Sequence, residues 1–239
     1  MVAIDERRPR VSASLMLTLD VDDFMSVSGP TRSNRPPKLE LPMSWSTEST
    51  RETPSVSVAW ISRPRTGESV NGDAVIVRRH GRSVLVAVVD ALGHGPKAAD
   101  VAQTSTEWLE AAAPEDGAPA LVNGLHKRLH GSRGAAALVL VVSAAGIEAC
   151  SVGNVELRSM TGKLPFVLTP GVLGIRLRAP KICSSPPLAD RFVLHSDGIS
   201  GRFDLRAWRS QTPAELASLI FGNHRHAHDD ATVVVVDIA

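Results

Sequence analysis

Six consecutive apolar residues, Val84 to Val89, run unbroken into a lone carboxylate, Asp90. The run is rich in β-branched side chains, which predicts a fully buried strand. A turn punctuated by Gly93 and Gly95 follows, and Pro96 stands where a helix can start. A buried strand that delivers one acid to its end, beside a turn without bulky side chains, can present that acid to a cation. It can equally use the acid to satisfy backbone N–H groups. The stretch alone leaves both readings open, so the rest of the chain must supply partner acids.

The strands before it supply the first. Val56-Ser57-Val58-Ala59-Trp60-Ile61 alternates Ser with larger apolar residues and predicts a strand. Pro64 and Gly67 mark a connecting loop, Asn71-Gly72-Asp73 a turn, and Ala74 to Val77 the next strand. His80-Gly81-Arg82 links it to the Val84 strand so tightly that the two must be antiparallel neighbours. Asp73 begins one and Asp90 ends the other, so the hairpin brings two carboxylates to one edge.

A helix is expected from Pro96 to about Ala112, with Ala98, Val101, Ala102, Ser105, Trp108, Leu109 and Ala112 on one face. A shorter one after Asp116-Gly117 carries Leu121, Val122, Leu125 and Leu129. His126 and His130 on it are spaced for a metal pair, but no acid completes such a site, so they read as surface or interface histidines. Ala135 to Ser143 and Gly146 to Val152 form a hairpin. Val155 to Met160, Leu164 to Thr169 and Leu173 to Leu177 continue it as an antiparallel meander, and the proline-rich residues 178–190 form a loop. Arg191 to His195 is a strand running into Ser196-Asp197-Gly198. After an irregular stretch, Pro213 to Phe221 is helical, and Asp229-Asp230 precede a closing strand, Ala231 to Ile238. Helices grouped apart from antiparallel strands argue for an α+β chain of two packed antiparallel sheets with helices outside, not a doubly wound nucleotide fold.

Residues 1–53 read as a largely flexible extension, because prolines at 30, 36, 37, 42 and 54 break any regular element; 54–239 reads as one domain. An apolar patch from Leu15 to Phe24 is a candidate for docking on the domain or on a partner. A net charge of +1, with 4% aromatics and no Tyr, gives no argument for nucleic-acid binding. Cys150 and Cys183 lack metal spacing; a disulfide between them is the weaker reading and two buried or half-buried thiols the stronger. No secretory leader and no membrane-length apolar stretch is evident, so the expected setting is cytoplasmic, without a membrane partner. Nothing periodic bears on oligomeric state.

The acids that flank apolar strands are Asp73, Asp90, Asp197, and Asp229 or Asp230. Like charges so crowded raise one another's pKa, and a hard divalent cation removes that penalty. Oxygen ligands without Cys point to Mg²⁺ or Mn²⁺ rather than Zn²⁺. Two such ions can activate water and stabilise a phosphoryl leaving group. Asp90 is the natural bridge, and Ala91 can lend a carbonyl. No serine elbow, nucleotide phosphate loop or zinc signature competes.

Asp90-Ala91-Leu92-Gly93-His94-Gly95, Ser196-Asp197-Gly198, Asp229-Asp230-Ala231-Thr232, and the loop Pro64 to Asp73 together resemble the metal motifs of the PPM protein phosphatases. The likeness is to the SpoIIE branch and its small RsbX-like, stress-response members, and it spans roughly Ser55 to Ile238. It implies a four-layer α-β-β-α sandwich and hydrolysis of phosphoserine or phosphothreonine on a signalling protein. On the resemblance, Asp90 bridges two Mn²⁺ or Mg²⁺ ions, Ala91 gives a carbonyl to one, Asp197 and Asp229 hold the second, and Asp73 binds water held by metal. His94 either acts near that water or the phosphate, or only stabilises its loop; Lys97 and Arg65 are candidate phosphate contacts. His224, His226 and His228 either touch phosphate or a third, weaker ion, or form a polar loop. Two features depart from the family: Ala91 stands where Gly is usual, and the arginine that grips phosphate in eukaryotic relatives has no counterpart. The implied partner is a phosphorylated anti-sigma antagonist or stressosome scaffold protein, and the implied enzyme is a feedback or constitutive phosphatase without a sensor. The competing readings are a weakly active or inactive phosphatase-fold module that binds a phosphoprotein, and a hydrolase of small phosphate esters.

Overall fold

The computed structural model describes residues 19–20 and 54–239. The expectation of a flexible extension therefore lies, but for those two residues, outside the described ones. The elements in chain order are β1 (Leu19–Asp20), β2 (Val56–Arg63), β3 (Asp73–His80), β4 (Ser83–Ala91), α1 (Pro96–Ala111) and α2 (Ala118–Arg128). There follow β5 (Ala135–Ser143), β6 (Gly146–Val152), β7 (Glu156–Ser159), β8 (Gly171–Val172), β9 (Arg176–Leu177), β10 (Ile182–Ser185), β11 (Asp190–His195), α3 (Pro213–His224) and β12 (Ala231–Ile238).

Two five-stranded antiparallel sheets, ordered β1-β2-β12-β11-β7 and β10-β6-β5-β4-β3, pack face to face. The two-residue alternation of side chains along each strand sorts three cores. Val84, Val86 and Val88 of β4 meet Phe192, Leu194, Val234 and Val236 between the sheets. Leu85, Ala87 and Val89 face the other way, against Leu109, Leu121 and Leu125 of α1 and α2. Val233 and Val235 of β12 pack against Leu216 and Ile220 of α3. The result is the four-layer α-β-β-α sandwich of the PPM phosphatase-like fold. Pro213 opens α3 behind a reciprocal Thr212–Glu215 capping box. No described helix is long and apolar enough to cross a membrane.

The meander expected after β6 is not formed. β7 leaves that sheet and pairs with β11 of the other, Leu157 opposite Leu194. The stretch Leu164 to Thr169 holds no strand; Leu164 and Phe166 instead fill the core between the sheets from irregular backbone. Of the expected strand Leu173 to Leu177, only Arg176–Leu177 is extended, as β9 of the small β8–β9 hairpin. The loop expected at 178–190 contains β10, an edge strand on β6. Its prolines, Pro180, Pro186 and Pro187, flank the strand without interrupting it, as edge positions allow. Cys150 and Cys183 are both free and buried. They lie in cores on opposite faces of their sheet, so they cannot bridge. Leu19–Asp20 of the apolar N-terminal patch pairs with Ser57 and Val58 of β2.

The ends of β11 and β12 press together so closely that a Cβ on Gly198 would lie 1.9 Å from the Asp230 carbonyl oxygen. Gly198→Ala must push two backbone segments apart, and its expected cost is about 3 kcal/mol. Urea unfolding checks this as a lower midpoint with an unchanged slope.

Candidate metal centre

The functional edge is built where both sheets end together. In the β3–β4 hairpin Asp73 sits directly opposite Asp90. Both continue the parity of the residues that face the other sheet, so their carboxyls point between the layers. From the other sheet, β11 runs out through His195 into Ser196 and Asp197, and Asp229 and Asp230 lead into β12.

Side chains stitch the two sheets at this edge. Ser196 Oγ donates to Asp73 Oδ2 at 2.7 Å and accepts from the Thr232 amide at 3.0 Å. Asp230 accepts from the amides of Arg65 at 2.8 Å and Gly72 at 2.9 Å, clamping the loop before β3 against the start of β12. The Ser62 and Thr232 hydroxyls meet at 2.6 Å, and Asn71 Nδ2 donates to Ser62 at 2.8 Å. Asp230 is thus consumed by backbone donors, which leaves Asp229 as the freer acid of the pair. Asp229 Oδ1 accepts from the Asp230 amide at 3.0 Å.

Burial and mutual repulsion dominate the electrostatics. Burial pushes the Asp73 carboxyl up to about 7, against the Ser196 and Thr232 hydroxyls that lower it, with Asp230 and Asp197 raising it further. Burial also pushes Asp90 up to about 9, reinforced by Asp73, Asp197 and Asp229. Asp197 is raised by burial and then by Asp229, while Asn154 Nδ2 donates to its Oδ2 at 2.6 Å. Asp90 and Asp197 are each raised chiefly by burial, and Asp197 is among the acids that raise Asp90. None of the dominant influences on Asp73 or Asp90 is a positive charge.

Asp73 Oδ1 is buried without any hydrogen-bond partner. A buried carboxylate oxygen left unpaired among other carboxylates is costly in the ionised state. The donor set consists of oxygens only, which suits Mg²⁺ or Mn²⁺. In chemistry the residues fit such an ion. In position they are collected but not closed: among the described residues, no three His, Cys, Asp or Glu side chains come together so as to hold one.

The other candidates stand around this group. Ala91 is buried and its amide donates to the Gly72 carbonyl at 3.1 Å, locking β4 to the clamped loop. His94 lies on the exposed turn after β4, its Nδ1 3.0 Å from Glu68 Oε1. Lys97 is exposed in the first turn of α1, and Arg65 contributes its amide to Asp230. His224 packs with Phe203 and Trp208, whereas His226 stacks on His228 with ring centres 5.5 Å apart. His126 Nδ1 accepts from the Gly174 amide at 3.0 Å, a loop contact rather than half of a histidine pair. Ser196 and Asn154 were not foreseen. Ser196 had one signal, a hydroxyl placed immediately before a strand-terminal acid; Asn154 read only as part of a Gly-Asn turn.

No family model matches the chain. It is 24% identical over 177 residues to the phosphoserine phosphatase RsbX of Bacillus subtilis (strain 168), across 71% of this chain and 88% of that protein. A solved structure from work on the bacterial stressosome, described as a modular system adapted to control secondary messenger signalling, is 31% identical; the match covers 76% of this chain and 99% of that one, with a TM-score of 0.71. The crystal structure of RsbX with magnesium is 21% identical, over 77% of this chain and 96% of the other, at a TM-score of 0.66. The PP2C phosphatase domain of SpoIIE from Bacillus subtilis is 19% identical, over 78% and 64%, at 0.63.

These shifts carry a signed consequence for the protein without metal. In the unfolded chain the acids ionise near pH 4, while folded Asp73 and Asp90 ionise near 7 and 9. Between those limits the folded state binds more protons, so stability is greatest at low pH and falls as pH rises through the folded values. At pH 8, Asp90→Asn is expected to raise the Tm of the metal-free protein by about 5 °C. The gain should vanish at pH 4, and Mn²⁺ should stabilise wild type more than the variant. Scanning calorimetry at both pH values checks this.

Proposed function

We propose, for a chain that belongs to the PPM phosphatase superfamily, that it hydrolyses phosphoserine or phosphothreonine on a regulatory protein with the help of two Mn²⁺ or Mg²⁺ ions. The observation that carries this reading is the set of buried, mutually repelling carboxylates, Asp73, Asp90 and Asp197, whose dominant neighbours leave Asp73 and Asp90 without positive charge. The relatives support it: one is a phosphoserine phosphatase and another comes from work on the bacterial stressosome. By the same likeness the partner is a phosphorylated anti-sigma antagonist or stressosome scaffold protein, met in the cytoplasm.

The ions would supply a water acidic enough to react near neutral pH and would neutralise charge on the phosphoryl oxygens. Asp90, central to the group, would bridge them, with the Ala91 carbonyl as a further ligand. Asp73 is aimed by the Ser196 hydroxyl, and Asp197 by the Asn154 amide, so each keeps one orientation. Asp229 completes the set from the other sheet while Asp230 holds the loops together. His94, its ring turned by Glu68, is the candidate for returning a proton to the departing serine or threonine oxygen.

A second reading, a weakly active or inactive module that binds a phosphoprotein in a signalling complex, is favoured by the open state of the acid set. The two readings part in one assay. Mn²⁺-dependent phosphate release from a phosphorylated anti-sigma antagonist or stressosome scaffold protein is expected, with Asp90→Asn lowering the rate at least about 100-fold. No release, while calorimetry still detects binding of that phosphoprotein, would favour the binding module instead.

A further inference from the structure

Among the described residues, no positive charge is a dominant influence on Asp73 or Asp90, but one guanidinium packs on the turn that follows Asp90. Arg133 lies on the short loop between α2 and β5. Its Nη1, Cζ and Nη2 are 3.2, 3.4 and 3.4 Å from where a Cβ on Gly93 would stand, so the guanidinium packs on the bare face of that glycine. Gly93 has a φ of 83°, which suits glycine, and a side chain there would displace the arginine.

The loop is pinned. The Gly134 carbonyl accepts from the Leu92 amide at 3.0 Å, and the Gly134 amide bonds to Ser132 Oγ at 3.0 Å. Ala135 and Leu173 exchange backbone hydrogen bonds at 3.2 and 2.8 Å. The turn that Arg133 packs on adjoins the acids: the Gly93 carbonyl is 3.4 Å from the Cβ position of Gly72, the residue before Asp73. Arg133 is exposed, and among the described residues its guanidinium has no hydrogen bond or ion pair. A guanidinium that packs on Gly93 from a pinned loop, one glycine turn from a carboxylate cluster, is available to an incoming anion.

We propose that Arg133 binds the substrate's phosphoryl group beside the acid edge, its planar fork taking two phosphoryl oxygens. This rests on the phosphatase reading above. A guanidinium matches phosphoryl oxygens in a bidentate way that a lysine cannot. The role falls to a residue far in sequence from Arg65 and Lys97, the two that the sequence had suggested.

The test is calorimetric titration of the full, Mn²⁺-loaded chain with inorganic phosphate, for wild type, Arg133→Ala and Arg133→Lys, beside phosphate release from the phosphoprotein. Arg133→Ala is expected to weaken phosphate binding about tenfold with Mn²⁺ affinity and Tm unchanged, and Arg133→Lys to recover only part of it. Phosphate binding that ignores Arg133 overturns this inference and leaves the phosphatase reading standing. Binding that depends on Arg133, in a protein that releases no phosphate from the phosphoprotein, supports the inference and counts against hydrolysis. Absence of phosphate binding in wild type overturns both.

Discussion

Repulsion among carboxylates that two sheets hold at one edge is the constraint on which the rest of the site depends. Left to themselves, Asp73, Asp90 and Asp197 would separate or stay protonated, and burial makes ionising them together harder still. What keeps them in place is not an ion pair but backbone register. Asp73 faces Asp90 because β3 and β4 are a tight hairpin, and Asp197 and Asp229 arrive from the ends of paired strands. Ser196 and Asp230 then tie one sheet to the other with hydrogen bonds that are themselves buried. Stability is spent there so that charge can be held in reserve, a pattern common to functional sites.

Much of this was legible in the sequence because it is local. Period-two alternation, the short link at Gly81 and the apolar run of β4 are enough to place Asp73 and Asp90 side by side, and the register bears that out. The strands that end in Asp197 and begin after Asp230 were legible for the same reason. What failed to show was which sheet a short strand joins. β7 and β10 are short edge strands whose partners are chosen by packing across the molecule, not by their own residues. Ser196 and Asn154 escaped similarly, since a polar residue at a strand end looks the same whether it meets solvent or a carboxylate from another sheet.

The fold and the chemistry of the acid edge point in one direction, and the geometry adds a condition. Burial and the neighbouring acids push Asp90 up to about 9 and raise Asp197 as well, so near neutral pH the metal-free edge holds a proton on Asp90. A divalent ion held by Asp90 would displace that proton, which would link metal uptake to proton release. A working phosphatase would give that proton up readily; a fold that only recognises its partner would keep it.

Anomalous diffraction from crystals grown with Mn²⁺ would locate the ions directly. Manganese peaks are expected between the sheets, with Asp90 and Asp197 both acting as ligands beside Asp73 or Asp229. An edge that holds no manganese at saturating concentration would rule out the metal reading of these acids.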